Sequence, residues 1–359
     1  MKQCNHTFWL SLYPQGNGVD LLTSERVQNI THNIPNPDVQ RPSLLVLIGN
    51  AAKTIALREL FGVKRKRQFS IKPGPAEIHL HIDPSSVFHE KPLLIAEGDL
   101  SEKQKGEAPT NKCHDVTRRS VRRGSELGPG RIASGVYARL LSPFADVFCF
   151  FCDDLGGLQQ VARHLAAWLE HEHTSTRPAS TRSRVVVVTE KIPLGAESEK
   201  QARTALLCLL QEETTRDLFE QVSAIDVIAL FPNGSLSVDA RYRPLKERLR
   251  VDLDQVRKNR EDARSLFTMV HFAAFLSSAF DHFSNIEGPF DFIKASRVYN
   301  PVAPDLEEHL SHFLKHVRSP DKLTGFAAPV IASSLVLDNY PPGAHRRSSP
   351  SPLYGLTVT

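Results

Sequence analysis

The chain has 359 residues, 41% of them hydrophobic, and a formal net charge of +4. That length can bury one large core with an appendage, and so small a positive excess excludes a dedicated nucleic-acid binder. The most apolar long segment, Ser265 to Phe280, is short for a bilayer span and contains His271, and the N-terminus lacks the basic start and apolar run of a signal peptide, so a cytoplasmic protein without a membrane span is expected.

Residues 1–40 carry Asn, Pro, Gly and Thr punctuation around one amphipathic fragment and read as a loosely ordered lead-in. Arg41 and Pro42 introduce Leu44 to Ile48, a continuous apolar strand, followed by Gly49-Asn50-Ala51-Ala52-Lys53-Thr54 and a helix with Ile55, Ala56, Leu60 and Phe61 on one side. Lys64-Arg65-Lys66-Arg67 reads as a solvated loop. In the next strand Ile78, Leu80 and Ile82 alternate with His79 and His81, which predicts one wet face and an edge position. The His-x-His pair has no thiol or carboxylate spacing beside it that would complete a metal site.

Leu93 to Ala96 make a third strand. From Ser101 to about Gly130 hydrophobic content falls and Lys, Glu, Arg and Gly rise, including Arg118, Arg119, Arg122 and Arg123, as in a disordered insertion (101–130). Ile132, Val136 and Leu140 mark a short helix. Val147 to Cys152 is apolar at every position, the pattern of a parallel strand covered on both faces. Asp153 and Asp154 then offer an N-cap carboxylate to the helix carrying Leu158, Val161, Leu165 and Trp168, and Val185 to Val188 closes a βαβ crossover. Cys149 and Cys152 have the spacing of a redox or zinc motif, but residues three apart on a strand face opposite sides, so both are expected to be core thiols.

Ala202 to Val222 fits one or two helices, and Ile225 to Phe231 forms the last strand. Six strands with helices between them predict an α/β fold with a doubly wound, mostly parallel six-stranded sheet over 41–239. Residues 240–345, a charged helix, an apolar one and the amphipathic stretch Leu306 to Val317, read as a helical appendage, and 346–359 as a disordered tail. Phe326 to Leu337 is apolar on all sides, which suits a segment that covers a further domain.

The alternating second strand beside a third that follows it, then buried strands separated by helices, resembles the core of GTPase-type P-loop domains. In that resemblance Gly49, Asn50, Lys53 and Thr54 lie in the phosphate turn, where backbone N–H groups cradle phosphate, a lysine neutralises it and a hydroxyl holds magnesium. A nucleotide, GTP or ATP with magnesium, is the cofactor this implies. The match is degenerate: Leu47 and Ala52 stand where G-x-x-x-x-G-K-[S/T] has glycines, no D-x-x-G precedes Gly98, and Thr189-Glu190-Lys191 replaces the guanine-reading N-K-x-D.

A second resemblance rests on RPSLLVLIGNAAKT, LLSPFADVFCFFCDDLGGLQQVARHLAAWLE, LFPNGSLSVDARYRPLKERL and APVIASSLVLDNYPPGAH. Together these are similar to the N-terminal region of large fungal proteins of the patatin-like phospholipase family, lipid acyl hydrolases, over about residues 40–345. The family's serine in G-x-S-x-G, its aspartate in D-G-[G/A] and its glycine-rich oxyanion loop are missing, so no catalytic residue carries over. The resemblance implies a truncated chain without activity of its own, a regulatory or docking module whose partner is a C-terminal lipase domain or another protein. Two alternatives follow from the same residues: an NTPase with a shortened loop, supported by Lys53 and Thr54, and a fragment of a lipid hydrolase.

Overall fold

A computed structural model describes residues 7–16, 18–63, 76–100, 116–122, 129–171, 178–232, 234–286, 288–297 and 304–339. The basic tract 64–67, most of the predicted insertion and the tail from 346 lie outside these residues. The chain divides into two compact units, Met1–Phe290 and Asp291–Thr359.

The first unit is built on a nine-stranded mixed sheet in the order β6-β2-β1-β4-β5-β3-β7-β8-β9. Its strands are β1 (Phe8–Gln15), β2 (Gly18–Ser24), β3 (Ser43–Ile48), β4 (Ile78–Ile82), β5 (Leu93–Gly98), β6 (Val116–Ser120), β7 (Val147–Phe151), β8 (Arg184–Thr189) and β9 (Ala224–Ala229). From β5 through β3, β7 and β8 to β9 the pairings are parallel; from β5 through β4, β1 and β2 to β6 they are antiparallel.

The sheet is therefore larger than the expected six strands, and half of it is antiparallel. The lead-in is the main reason. Phe8, Leu10, Leu12, Val19 and Leu21 are all buried in a β1–β2 hairpin, and helix α1 (Arg26–Asn33) follows with Val27 and Ile30 inside. Because β1 pairs with β4, the His-bearing strand is interior and not an edge. Within the expected insertion, Val116–Ser120 is the strand that extends β2.

Strands β3, β7 and β8 are buried at nearly every position because helices cover both sides. On one face Val147, Cys149 and Phe151 of β7 join Ala56, Leu57 and Leu60 of α2 (Ala51–Phe61). On the other, Phe148 and Phe150 meet Trp168 with ring centroids 4.9 and 5.3 Å apart. This tryptophan lies on α4 (Leu158–Leu169), which follows α3 (Pro129–Gly135) and its wide-turned continuation Val136–Leu141. Helix α5 (Ala196–Glu213) precedes β9. Both Cys149 and Cys152 are buried, free thiols.

Helix α6 (Val238–Asp262) completes the first face with Tyr242, Leu245 and Leu249. Near its end Arg260 is buried beside Asp146, 2.7 Å away, and donates to the carbonyls of Phe144 and Ala145. Asp146 also accepts from the amide of Leu44 at 2.6 Å, so one carboxylate ties the starts of β3 and β7 to α6. Helix α7 (Met269–Asn285) belongs to the same unit. The appendage expected from residue 240 thus begins at Asp291.

The second unit contains helices Phe292–Arg297, Leu306–Lys315, Pro320–Lys322 and Ala328–Asn339. Phe313 and Phe326 face each other at 6.3 Å, while Leu323, Phe326 and Val330 keep exposed surface. No helix among the described residues is long and apolar enough to cross a membrane.

Candidate functional site

In a sheet whose parallel strands run outward from the middle, ligands bind outside the carboxyl ends of the strands where the connections diverge. Here that point is the end of β3, flanked by β5 and β7. Gly49 is required there by space. A Cβ on it would lie 2.7 Å from Asp154 Oδ2 and 2.8 Å from Phe151 Cβ.

The first amides of a helix have no intrahelical acceptor and attract an anion. At the start of α2 that anion is internal. Asp154 Oδ2 accepts from the amides of Asn50 at 2.6 Å and Lys53 at 3.0 Å, and its Oδ1 accepts from Ala52 at 3.0 Å. The Asp153–Asp154 pair therefore does not cap α4, whose N-cap is Gly157 without a side-chain bond. It reaches sideways. Asp153 accepts from the Glu190 amide at 2.8 Å and pairs with Lys191 at 3.2 Å, while Glu190 pairs with the buried Arg241.

Lys53 turns inward. Its ammonium donates to the Gly98 carbonyl at 3.0 Å and stands 3.2 Å from Glu97 Oε2, with both side chains almost wholly shielded. Glu97 Oε1 also meets His81 Nε2 at 3.2 Å. Burial lowers the imidazole's proton affinity, and Glu97 opposes that shift. Tyr137 closes the same corner by donating to the Asp99 carbonyl at 3.0 Å; burial, reinforced by Asp99 and Glu97, holds its phenol well above the ordinary range. A Cβ on Gly98 would collide with that hydroxyl. Thr54 Oγ1 donates back to the Asn50 carbonyl at 2.7 Å.

The structure thus brings Gly49, Asn50, Lys53 and Thr54 together at one turn, where three backbone amides, the lysine ammonium and the threonine hydroxyl are engaged within the chain. The amides hold Asp154, the ammonium holds Glu97 and Gly98, and the hydroxyl holds Asn50. A phosphate placed on the amides of Asn50, Ala52 and Lys53 would compete with the Asp154 carboxylate. Sequence reasoning missed Asp154, Glu97, His81 and Tyr137 as members of this cluster. The one available signal was the pair of aspartates directly after a buried strand, beyond what one helix cap needs.

His79 is engaged by Glu77 at 2.9 Å and by Thr7. Among the described residues, no group of three or more His, Cys, Asp or Glu side chains is placed to hold a metal ion. No protein-family model matches the chain, and no curated protein matches it.

Proposed function

We propose that this chain is a non-catalytic docking or regulatory module: a GTPase-type P-loop core in which the nucleotide turn has become an internal structural clasp. The observation that carries this reading is the Asp154 carboxylate on the amides of Asn50, Ala52 and Lys53. An aspartate fixed to the chain has a far higher local concentration than a dissolved nucleotide, and it puts a like charge where the phosphates would sit. The order β4-β5-β3-β7-β8-β9, with β4 antiparallel to β5, supports the P-loop likeness. The resemblance to the N-terminal regions of patatin-like phospholipase proteins supports a cytoplasmic role beside a lipase domain.

Titration with fluorescent GTP and ATP analogues, with and without magnesium, tests the reading. The expected result is no saturable signal from the wild-type chain. A micromolar dissociation constant that Lys53→Ala abolishes would overturn it in favour of an NTPase with a shortened loop. The lipase association is tested by mixing the chain with a patatin-like catalytic domain, where the expected result is a complex or altered ester hydrolysis and an inert mixture counts against it.

A further inference from the structure

The second unit carries three of the chain's 15 histidines, His309, His312 and His316, on its helix Leu306–Lys315 and the residue that caps it. A helix turns about 100° per residue, so the three side chains leave within about 60° of one another round the axis, while Leu306, Leu310 and Leu314 stand on another side. All three histidines are exposed. His316 keeps the helical register, with a φ of −84° and its amide donating to the Phe313 carbonyl at 3.1 Å. Its side chain therefore starts one turn beyond His312 on the same strip.

Residues four apart on a helix have Cβ atoms about 5–6 Å apart, which lets two imidazoles reach one ion at the zinc–nitrogen distance of about 2.0–2.1 Å. Metalloprotease helices hold zinc with two histidines at this same spacing. Two further features of the strip favour a cation. The pair His312 and His316 occupies the last turn, where the terminal carbonyls of the helix attract positive charge. Carboxylates lie one turn towards the N-terminus, Asp305 meeting His309 at 3.0 Å and Glu308 preceding His312 by four residues. Lys315 is the opposing charge nearest in sequence, and it leaves the helix about 100° round from His316.

We propose that His312 and His316 form a chelating pair for zinc or another borderline first-row divalent ion, with His309 kept by Asp305 and solvent filling the remaining positions. Among the described residues no group of three His, Cys, Asp or Glu side chains is placed on one ion, so the site is an open one. Imidazole nitrogens select zinc, nickel and copper over magnesium and calcium, which take oxygen ligands. Chelation ties the last turn of the helix to the turn before it. The proposal rests on neither reading of the β3 turn.

The test is calorimetry on the full chain in a non-chelating buffer, with zinc, nickel, magnesium and calcium chlorides in turn. Saturable zinc binding is expected to weaken about tenfold or more in His312→Gln and in His316→Gln, and less than about threefold in His309→Gln. All three positions are exposed, so the variants should unfold with the wild type in metal-free guanidine titrations. Histidines elsewhere in the chain can take zinc too, so a second readout resolves the site. Diethyl pyrocarbonate labelling with peptide mapping should show zinc shielding His312 and His316 while the exposed His32 stays reactive. Absence of saturable zinc binding, an isotherm that neither His312→Gln nor His316→Gln changes, magnesium or calcium binding as tightly as zinc, or labelling of the pair that zinc does not reduce overturns the proposal.

Discussion

Lys53 and Glu97 form an ion pair at 3.2 Å in which both side chains are shut away from solvent. Removing one partner of such a pair strands the other as an uncompensated buried charge. Lys53→Met should therefore destabilise the chain by about 3–5 kcal/mol, and adding Glu97→Gln should restore much of that loss. Urea unfolding of the single and double variants decides it. A Lys53→Met protein as stable as wild type would mean that the lysine is not part of the structural clasp.

Gly49→Ala should cost about 1–3 kcal/mol, because the new methyl group has to push aside Asp154 and the backbone-near Cβ of Phe151. Asp154→Ala should cost about 1–2 kcal/mol by leaving the amides at the start of α2 without their acceptor. These two changes meet at one contact, so a double-mutant cycle should give less than additive losses. Full additivity would mean that the two residues act separately.

The buried imidazole of His81 gives a defined pH dependence. Burial depresses its folded-state value despite Glu97, with His79 and Arg26 lowering it further, while the unfolded chain titrates near the ordinary 6.5. In the window just below 6.5 the unfolded state binds more protons, so stability is fully present above that pH and falls as pH drops towards the folded value. Urea midpoints should decline through this window for wild type and less for His81→Gln, which keeps a donor for Glu97. Parallel profiles would remove the histidine from the account.

Thiol labelling separates the cysteines. Burial holds the Cys149 thiol far above its usual range and pushes Cys152 up to about 11, with Asp153 adding to the rise, whereas Cys208 is exposed. Peptide mapping after brief iodoacetamide treatment should find Cys208 modified and Cys149 and Cys152 untouched until the protein is unfolded. Early modification of Cys149 would contradict its place between the sheet and α2.

Truncation tests the unit boundary. A fragment ending at Phe290 should fold cooperatively, with a melting temperature within a few degrees of the full chain. One ending at residue 239 should not fold, since it loses Tyr242, Leu245, Leu249 and the Arg260–Asp146 clasp. Leu245→Ala alone should cost about 2–5 kcal/mol.

The parallel half of the sheet was legible because Leu44 to Ile48, Val147 to Phe151 and Val185 to Val188 are unbroken apolar runs, the mark of strands covered on both faces. The antiparallel half was not. In β1 and β2 the residues Pro14, Gly16 and Gly18 punctuate a hairpin but have the composition of loose chain, although Leu10, Leu12 and Leu21 around them are fully interior. Strand β6, Val-Thr-Arg-Arg-Ser, joins the sheet through its backbone and carries no hydrophobic pattern. At the candidate site, sequence placed Lys53 and Thr54 in the turn after β3, but the Asp154 carboxylate that meets the turn lies 104 residues from Asn50. Local pattern cannot show a contact of that range.

The pairing of β3 with β7 also bears on how the chain folds. The amide of Leu44 and its acceptor Asp146 are 102 residues apart, and β3 has β5 and β7 as its neighbours. On the ribosome, the hairpin of β1 and β2 can form early, but the apolar strand β3 emerges long before β7 does. During that interval Leu44 to Ile48 offers an unpaired edge to other nascent chains. Such distant closure slows folding and leaves partly made species open to aggregation. Expression at reduced temperature or with extra chaperone should raise the soluble yield more than any surface substitution, because the vulnerable state is the waiting strand and not the finished protein.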